Sequence, residues 1–240
     1  KEVNYMMRSV KVAVFTNAVL LLLVVVVGAV CFFPLGAVTA GNVSDRVYYR
    51  GDAESGKVSL MFNVYGGADY IPGILDTLDS FGVKATFFIG GCWADDHTQT
   101  LREIAARGHE LGNHGYFHKD QDKLSLSANK EEILRCHDLV KSLAGKEMGL
   151  FAPPSGAYSE NTVNAAESLA YKVIMWSKDT IDWRDHDATL IFSRATEGIE
   201  GGDLVLMHPT EETAEALPSV LAFYKEKGLA QCTVSETLGL

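Results

Sequence analysis

The chain is expected to fold as an α/β protein, a distorted TIM-like (β/α) barrel of about seven units over residues 57–240. Three observations support this. Short apolar, β-rich runs alternate with helical stretches, as βα units on a parallel sheet require. Several helical stretches end at a glycine. Polar residues suited to chemistry recur at the C-terminal ends of the strand-like runs, where a parallel barrel builds its site. A doubly wound open sheet is the alternative, but no GxGxxG follows the first run.

Taken in order, Lys57–Val64 is the first β-rich run, and Ile71–Phe81 has helical spacing with Gly82 as its stop. Lys84–Ile89, with Ala85, Phe87 and Phe88, reads as a short buried strand. Thr98–Arg107 is a helix closed by Gly108, and Glu110–His114 is a brief strand. Ser127–Leu143 is the clearest amphipathic helix, with Gly145 just past its end. Strands are expected at Met148–Ala152, Lys172–Trp176 and Asp203–Met207, with helices at Glu160–Leu169 and Ala188–Glu197 between them. Thr213–Lys227 is a helix stopped by Gly228, and Leu229–Val234 is a last strand.

The first forty residues differ. No charged residue occurs from Val12 to Phe33, and Leu20 to Val27 is unbroken Leu and Val. Roughly 20 apolar residues cross a bilayer core. Lys1, Arg8 and Lys11 precede the run and no Lys or Arg follows until Arg46, so the positive-inside rule leaves the N-terminus in the cytoplasm and exports the rest. Residues 1–40 are thus expected to be a cytoplasmic stub with one transmembrane helix, residues 41–56 a linker rich in Gly, Asp and Ser, and residues 57–240 a domain outside the cytoplasm. A signal peptide cleaved after Val38-Thr39-Ala40 is the alternative, although the apolar run exceeds the usual h-region of about 7–15 residues. Beyond residue 40 the chain carries 18 basic and 30 acidic side chains, a formal charge of −12. Such a surface repels nucleic acid and anionic polymers. Cys92, Cys136 and Cys232 allow at most one internal disulfide, form no CxxC pair, and are expected to be free thiols.

The polar residues at the strand ends are Asn63, His114, the segment Ala152-Pro153-Pro154, Asp179 with Asp182, and His208. His114 and His118, four residues apart on one helical turn, could reach a single Zn²⁺ at ~2.0–2.1 Å. The runs from Gly108 to His118, from Asp179 to Trp183 and from Leu204 to His208, in this order, resemble the motifs of the polysaccharide deacetylases, carbohydrate esterase family 4, also called the NodB homology domain. The resemblance covers residues 57–240.

That resemblance implies a metal-dependent hydrolase that removes N-acetyl groups from chitin-like or peptidoglycan sugars, a non-peptide C–N amide cleavage. His114 and His118 match the metal histidines, with zinc as the expected ion. His208 matches the general acid, and Asp182 the carboxylate that holds such a histidine and favours its charged form. Trp183 would form a wall of the sugar groove, and Pro154 and Tyr65 are further candidates for substrate binding.

The opposite half of the catalytic set departs from the pattern. The family's Thr-Phe-Asp-Asp-Gly stands here as Met61-Phe62-Asn63-Val64-Tyr65, so Asn63 replaces the base and Val64 the third metal ligand. Ala152 stands where an Arg pairs with that base. The losses are coherent, because an Arg without its carboxylate would be an unpaired charge costing several kcal/mol. Asn63 can position a water or an acetyl group but cannot take a proton, and Asp69, Asp120 and Asp122 are the nearest alternative carboxylates in the chain. A similar Phe-Asn-Val-Tyr pattern marks a variant branch of the family in spore-forming bacteria. Two functions stay open. One is a deacetylase of cell-wall polysaccharide with a weak metal site and weakened base chemistry. The other is a non-catalytic glycan-binding or scaffold protein of the cell envelope.

Overall fold

A computed structural model describes residues 15–23 and 42–240. The chain forms two compact units, Lys1–Gly41 and Asn42–Leu240. In the first, residues 15–23 form helix α1 with exposed side chains. The remainder of the apolar run expected to span a membrane, and the alternative cleavage site at 38–40, lie outside the described residues. Among the described residues no helix is long and apolar enough to cross a membrane.

The second unit is built on parallel strands β1 (Val47–Tyr48), β2 (Lys57–Val64), β3 (Thr86–Ile89), β4 (Glu110–Asn113), β5 (Leu150–Phe151), β6 (Lys172–Ile174), β7 (Lys178–Asp179), β8 (Leu204–Met207) and β9 (Ala230–Cys232). Their order is β1-β6-β5-β4-β3-β2-β8-β7, and β9 pairs with the start of β2. Strands β2 to β6 are neighbours in sequence order with no reversal, as a barrel requires and a doubly wound sheet does not. Strands β6 and β7 are two parts of one extended stretch. The first part pairs with β5 and the second with β8, so the chain itself links the two ends of the curled sheet.

Side-chain parity creates two cores. On β2, Val58, Leu60, Phe62 and Val64 join the layer between sheet and helices, while Met61 joins an inner cluster with Phe88, Leu150, Ala152, Ile174, Leu204 and Leu206. Gly112 on β4 is part of that inner packing: a Cβ there would stand 2.4 Å from the Phe88 ring.

Helices α2 (Ile71–Phe81), α3 (Gly91–Asp96), α4 (Thr98–Ala106), α5 (Leu126–Ala144), α6 (Glu160–Ser168), α7 (Asp182–Asp185), α8 (Ala188–Thr196), α9 (Glu211–Glu226) and α10 (Val234–Leu238) complete the unit. In α2 the buried residues are Ile71, Ile74, Leu75 and Leu78, one face of a 3.6-residue period. Each such side chain stabilises the fold by roughly 1.5–3 kcal/mol. Gly82 ends the helix in the left-handed region at φ 67°.

Two expectations are corrected. Residues 42–56 are no free linker: β1 pairs with β6, Val47 is buried, and Arg46 bonds Asn164 and Glu167 on α6. The last strand stops at Cys232, where Thr233 and Glu236 form a capping box that starts α10. This helix packs on the start of β2 and β3. The Ser59 hydroxyl donates to Thr237 Oγ1 at 2.6 Å, and the Val234 N–H donates to Thr86 Oγ1 at 2.8 Å.

Candidate active site

At the C-terminal ends of the strands, the opposite end from α10, lies a cleft of about 360 Å³. It is lined by Asn63, Tyr65, His114, His118, Trp176, Trp183 and His208, with Ser155, Asp179 and Leu206. Of the residues expected in the site, Pro154 does not line it. Pro154 is buried, and Ser155, held at φ 56°, faces the cleft in its place. Three non-glycine residues with left-handed backbone, His118, Ser155 and Ile181, lie in or beside this cleft. Each costs about 1–3 kcal/mol, which the surrounding packing must supply.

The acid side is fully assembled. Asp182 is wholly buried, and its Oδ1 accepts from His208 Nδ1 at 2.7 Å and from the Trp183 N–H at 2.9 Å. Its Oδ2 accepts from the His208 N–H at 2.6 Å and from the Thr213 hydroxyl at 2.7 Å. Burial alone would raise the Asp182 pKa. Hydrogen bonds and charge from His208, together with Thr213, outweigh it and hold the carboxyl below its usual range. Because Nδ1–H donates to Asp182, Nε2 is the His208 nitrogen left for the cleft.

His114 follows β4 and is almost wholly buried at 1% exposure. Its Nδ1–H donates to the Ala152 carbonyl at 2.8 Å, which leaves the Nε2 lone pair free. Burial, with the neighbouring His118, lowers its pKa to about 3. The pKa of His118 is also lowered, chiefly by burial. The two residues do not share a helical turn as expected. They sit in the loop after β4, with ring centroids 5.0 Å apart. Buried Glu132 on α5 holds this loop, accepting from the Tyr116 N–H at 3.0 Å, the Phe117 N–H at 2.8 Å and Lys119 Nζ at 3.0 Å.

The base position holds no carboxylate, and Asp179, which lines the cleft, accepts from the Ile181 N–H at 2.8 Å. Asn63 is buried, and its Oδ1 has no hydrogen-bond partner. Val64 is wholly buried and packs in the helix-side core. Ala152 is wholly buried in the inner cluster. Asp69 is exposed in the turn Ala68–Tyr70 and does not line the cleft. Among the described residues no group of three or more His, Cys, Asp or Glu could hold an ion. A catalytic zinc takes three protein ligands, so the residues present do not make the complete metal site that the resemblance implies.

Tyr65 and Trp183 are 46% and 51% exposed, and the Tyr65 ring packs beside His118 with centroids 4.0 Å apart. Asp179, expected at a strand end, lines the cleft; Trp176, Ser155 and Leu206 line it without having been singled out, and Thr213 and Glu132 support it from helices distant in sequence.

The polysaccharide deacetylase family model matches residues 50–174. An uncharacterised protein of Bacillus subtilis is 35% identical over 190 residues, which are 79% of this chain and 60% of that protein. A peptidoglycan-N-acetylglucosamine deacetylase of Bacillus cereus is 29% identical over 185 residues, 75% of this chain and 67% of its own length. A crystal structure of a carbohydrate esterase family 4 pseudoenzyme from Bacillus anthracis superposes with a TM-score of 0.78 at 33% identity, covering 80% of this chain and 68% of that one. A mutant of that pseudoenzyme with restored enzymatic activity superposes with the same TM-score. The chain thus spans 60% of the length of the Bacillus subtilis relative.

Proposed function

The chain belongs to the polysaccharide deacetylase family, and from that premise we propose that its cleft binds N-acetylated cell-wall glycan while hydrolysing it slowly at most. The observation that carries this reading is the content of the cleft. Aromatic walls, Trp183, Trp176 and Tyr65, surround a buried Asn63 amide at the place where the reaction needs a proton acceptor. Aromatic faces cover the apolar C–H faces of pyranose rings, and a few polar groups fix orientation, as in other small-ligand clefts. The Asn63 amide can order a water or an acetamido group but cannot accept its proton at any ordinary pH. Loss of a general base costs about 10²–10⁴ in rate. The likeness to a pseudoenzyme supports the same conclusion.

One observation favours a second reading, a slow deacetylase. The Asp182–His208 pair keeps the geometry of a general acid and its orienting carboxylate. The names of the Bacillus cereus and Listeria relatives, peptidoglycan-N-acetylglucosamine deacetylases, point to peptidoglycan as the glycan in either case. We place the domain in the cell envelope outside the cytoplasm, on the basis of the apolar run with basic residues only before it. Cell fractionation with protease protection tests that placement, and a cytoplasmic domain would overturn it.

Calorimetric titration with an N-acetylglucosamine tetramer tests the binding. Saturable binding that Trp183→Ala weakens about tenfold or more, close to 1.4 kcal/mol, is the expected result. No binding of this tetramer or of muropeptides by the parent would overturn the proposal.

A further inference from the structure

Tyr65 leaves the end of β2 and places its ring among the three histidines of the cleft. The ring centroid lies 4.0 Å from that of His118, 6.0 Å from His114 and 5.8 Å from His208, the last edge-on. His114 and His118 are already set as a pair. One is fixed by its bond to the Ala152 carbonyl, and the other stands on a loop that Glu132 pins from α5. Two imidazoles bind a divalent ion only if further ligands complete its shell. Among the described residues no carboxylate or thiolate joins them, so waters would have to, and those waters would stand in the cleft. The ring of Tyr65 lies beside both imidazoles and closest to His118.

We propose that Tyr65 is a stopper: its ring fills the open side of the His114–His118 pair and keeps a divalent cation off two imidazoles that are otherwise arranged to hold one. The inference goes beyond glycan binding, and its readout is metal uptake alone, so it stands or falls separately from the proposed function. The ring is replaceable, because Tyr65 is about half exposed and its hydroxyl makes no hydrogen bond among those described. An open position here creates no cavity in either core.

The test uses the full chain and Zn²⁺ alone, titrated by calorimetry, with Co²⁺ absorption as a second readout of coordination. Tyr65→Gly is expected to raise Zn²⁺ affinity about tenfold or more, a gain of 1.4 kcal/mol. Tyr65→Phe, which keeps the ring, should bind as the parent does. Adding His114→Ala to Tyr65→Gly should abolish the gain. Tyr65→Ala serves if the glycine variant melts early. Three results would overturn the proposal. Equal affinity in Tyr65→Gly and parent would mean that the ring obstructs nothing. Weaker binding in both Tyr65→Gly and Tyr65→Phe would make the hydroxyl a ligand. A gain that survives His114→Ala would place the ion elsewhere.

Discussion

Replacing Asp182 with Ala should destabilise the fold by about 3–5 kcal/mol, the cost of taking the shared acceptor from the donors around a wholly buried carboxylate. The magnitude follows from four donors. The His208 N–H, His208 Nδ1–H, Thr213 hydroxyl and Trp183 N–H all converge on one carboxylate that is closed to solvent. A buried donor left without an acceptor costs about 1–3 kcal/mol, and four at full cost would exceed the range, so water entry and side-chain relaxation must recover part. For a unit of this size each kcal/mol shifts the melting temperature by roughly 2–4 °C, which gives a fall of about 6–20 °C. Urea and thermal unfolding at pH 7 measure it. Asp182→Asn should fall between Ala and parent, since it keeps one acceptor but turns an NH₂ toward two donors. The carboxyl is held below its usual range, so its contribution is complete above the unfolded-state pKa of about 3.9 and is lost as pH falls through the folded value. Parent and Asp182→Ala should therefore converge in acid. A loss under about 1 kcal/mol at pH 7 would refute the reasoning, because four donors cannot lose a buried acceptor that cheaply.

Further outcomes follow from the same geometry. His109 and His114 are buried, with folded pKa values lowered by burial to about 4 and about 3. Below the unfolded value of about 6.5 the unfolded chain takes up protons that the fold does not, so stability falls with decreasing pH by about 1.4 kcal/mol per unit for each. Urea midpoints at pH 7, 6 and 5 check this, and His109→Gln should make the slope shallower. Ala152→Arg alone places a guanidinium in the inner cluster and should cost several kcal/mol, whereas adding Asn63→Asp should recover at least about 1 kcal/mol in a double-mutant cycle. Additive losses would mean that the two positions do not face each other. Glu132→Ala should free the loop that carries His114 and His118, costing about 2–3 kcal/mol and speeding hydrogen exchange at the Tyr116 and Phe117 amides. Unchanged exchange there would show that Glu132 does not hold the loop.

Elements with strong local signals were legible before the fold was known. Helix α2 runs from Ile71 to Phe81 as expected, because its apolar stripe and Gly82 both lie within the element. The bend between β6 and β7 was not legible: Lys172–Trp176 reads as one strand, and the switch of partner from β5 to β8 depends on sheet closure. The edge strand β1 was missed for the same reason, since its two residues gain meaning only beside β6. The acid side of the site was readable from motif order. Its support by Thr213, 31 residues from Asp182, rests on a long-range contact that no spacing reveals. Val64 shows a limit of motif reading. Strand parity already sets it opposite Asn63, on the face that packs against the helices. A carboxylate restored at Val64 would enter that core unless the end of β2 turned.

The central claim is that the site retains its acid and has lost its base, and acetate release tests it most directly. Purified full chain is incubated at pH 7 with saturating N-acetylglucosamine tetramer, beside His208→Ala, and acetate is quantified over time. An ordinary enzyme turns over at about 10 s⁻¹, and loss of a base lowers that by about 10²–10⁴. Release at no more than about 0.1 s⁻¹ is the expected result. Release near 10 s⁻¹ that disappears in His208→Ala would contradict the account, because it would require a proton acceptor that the Asn63 amide is not.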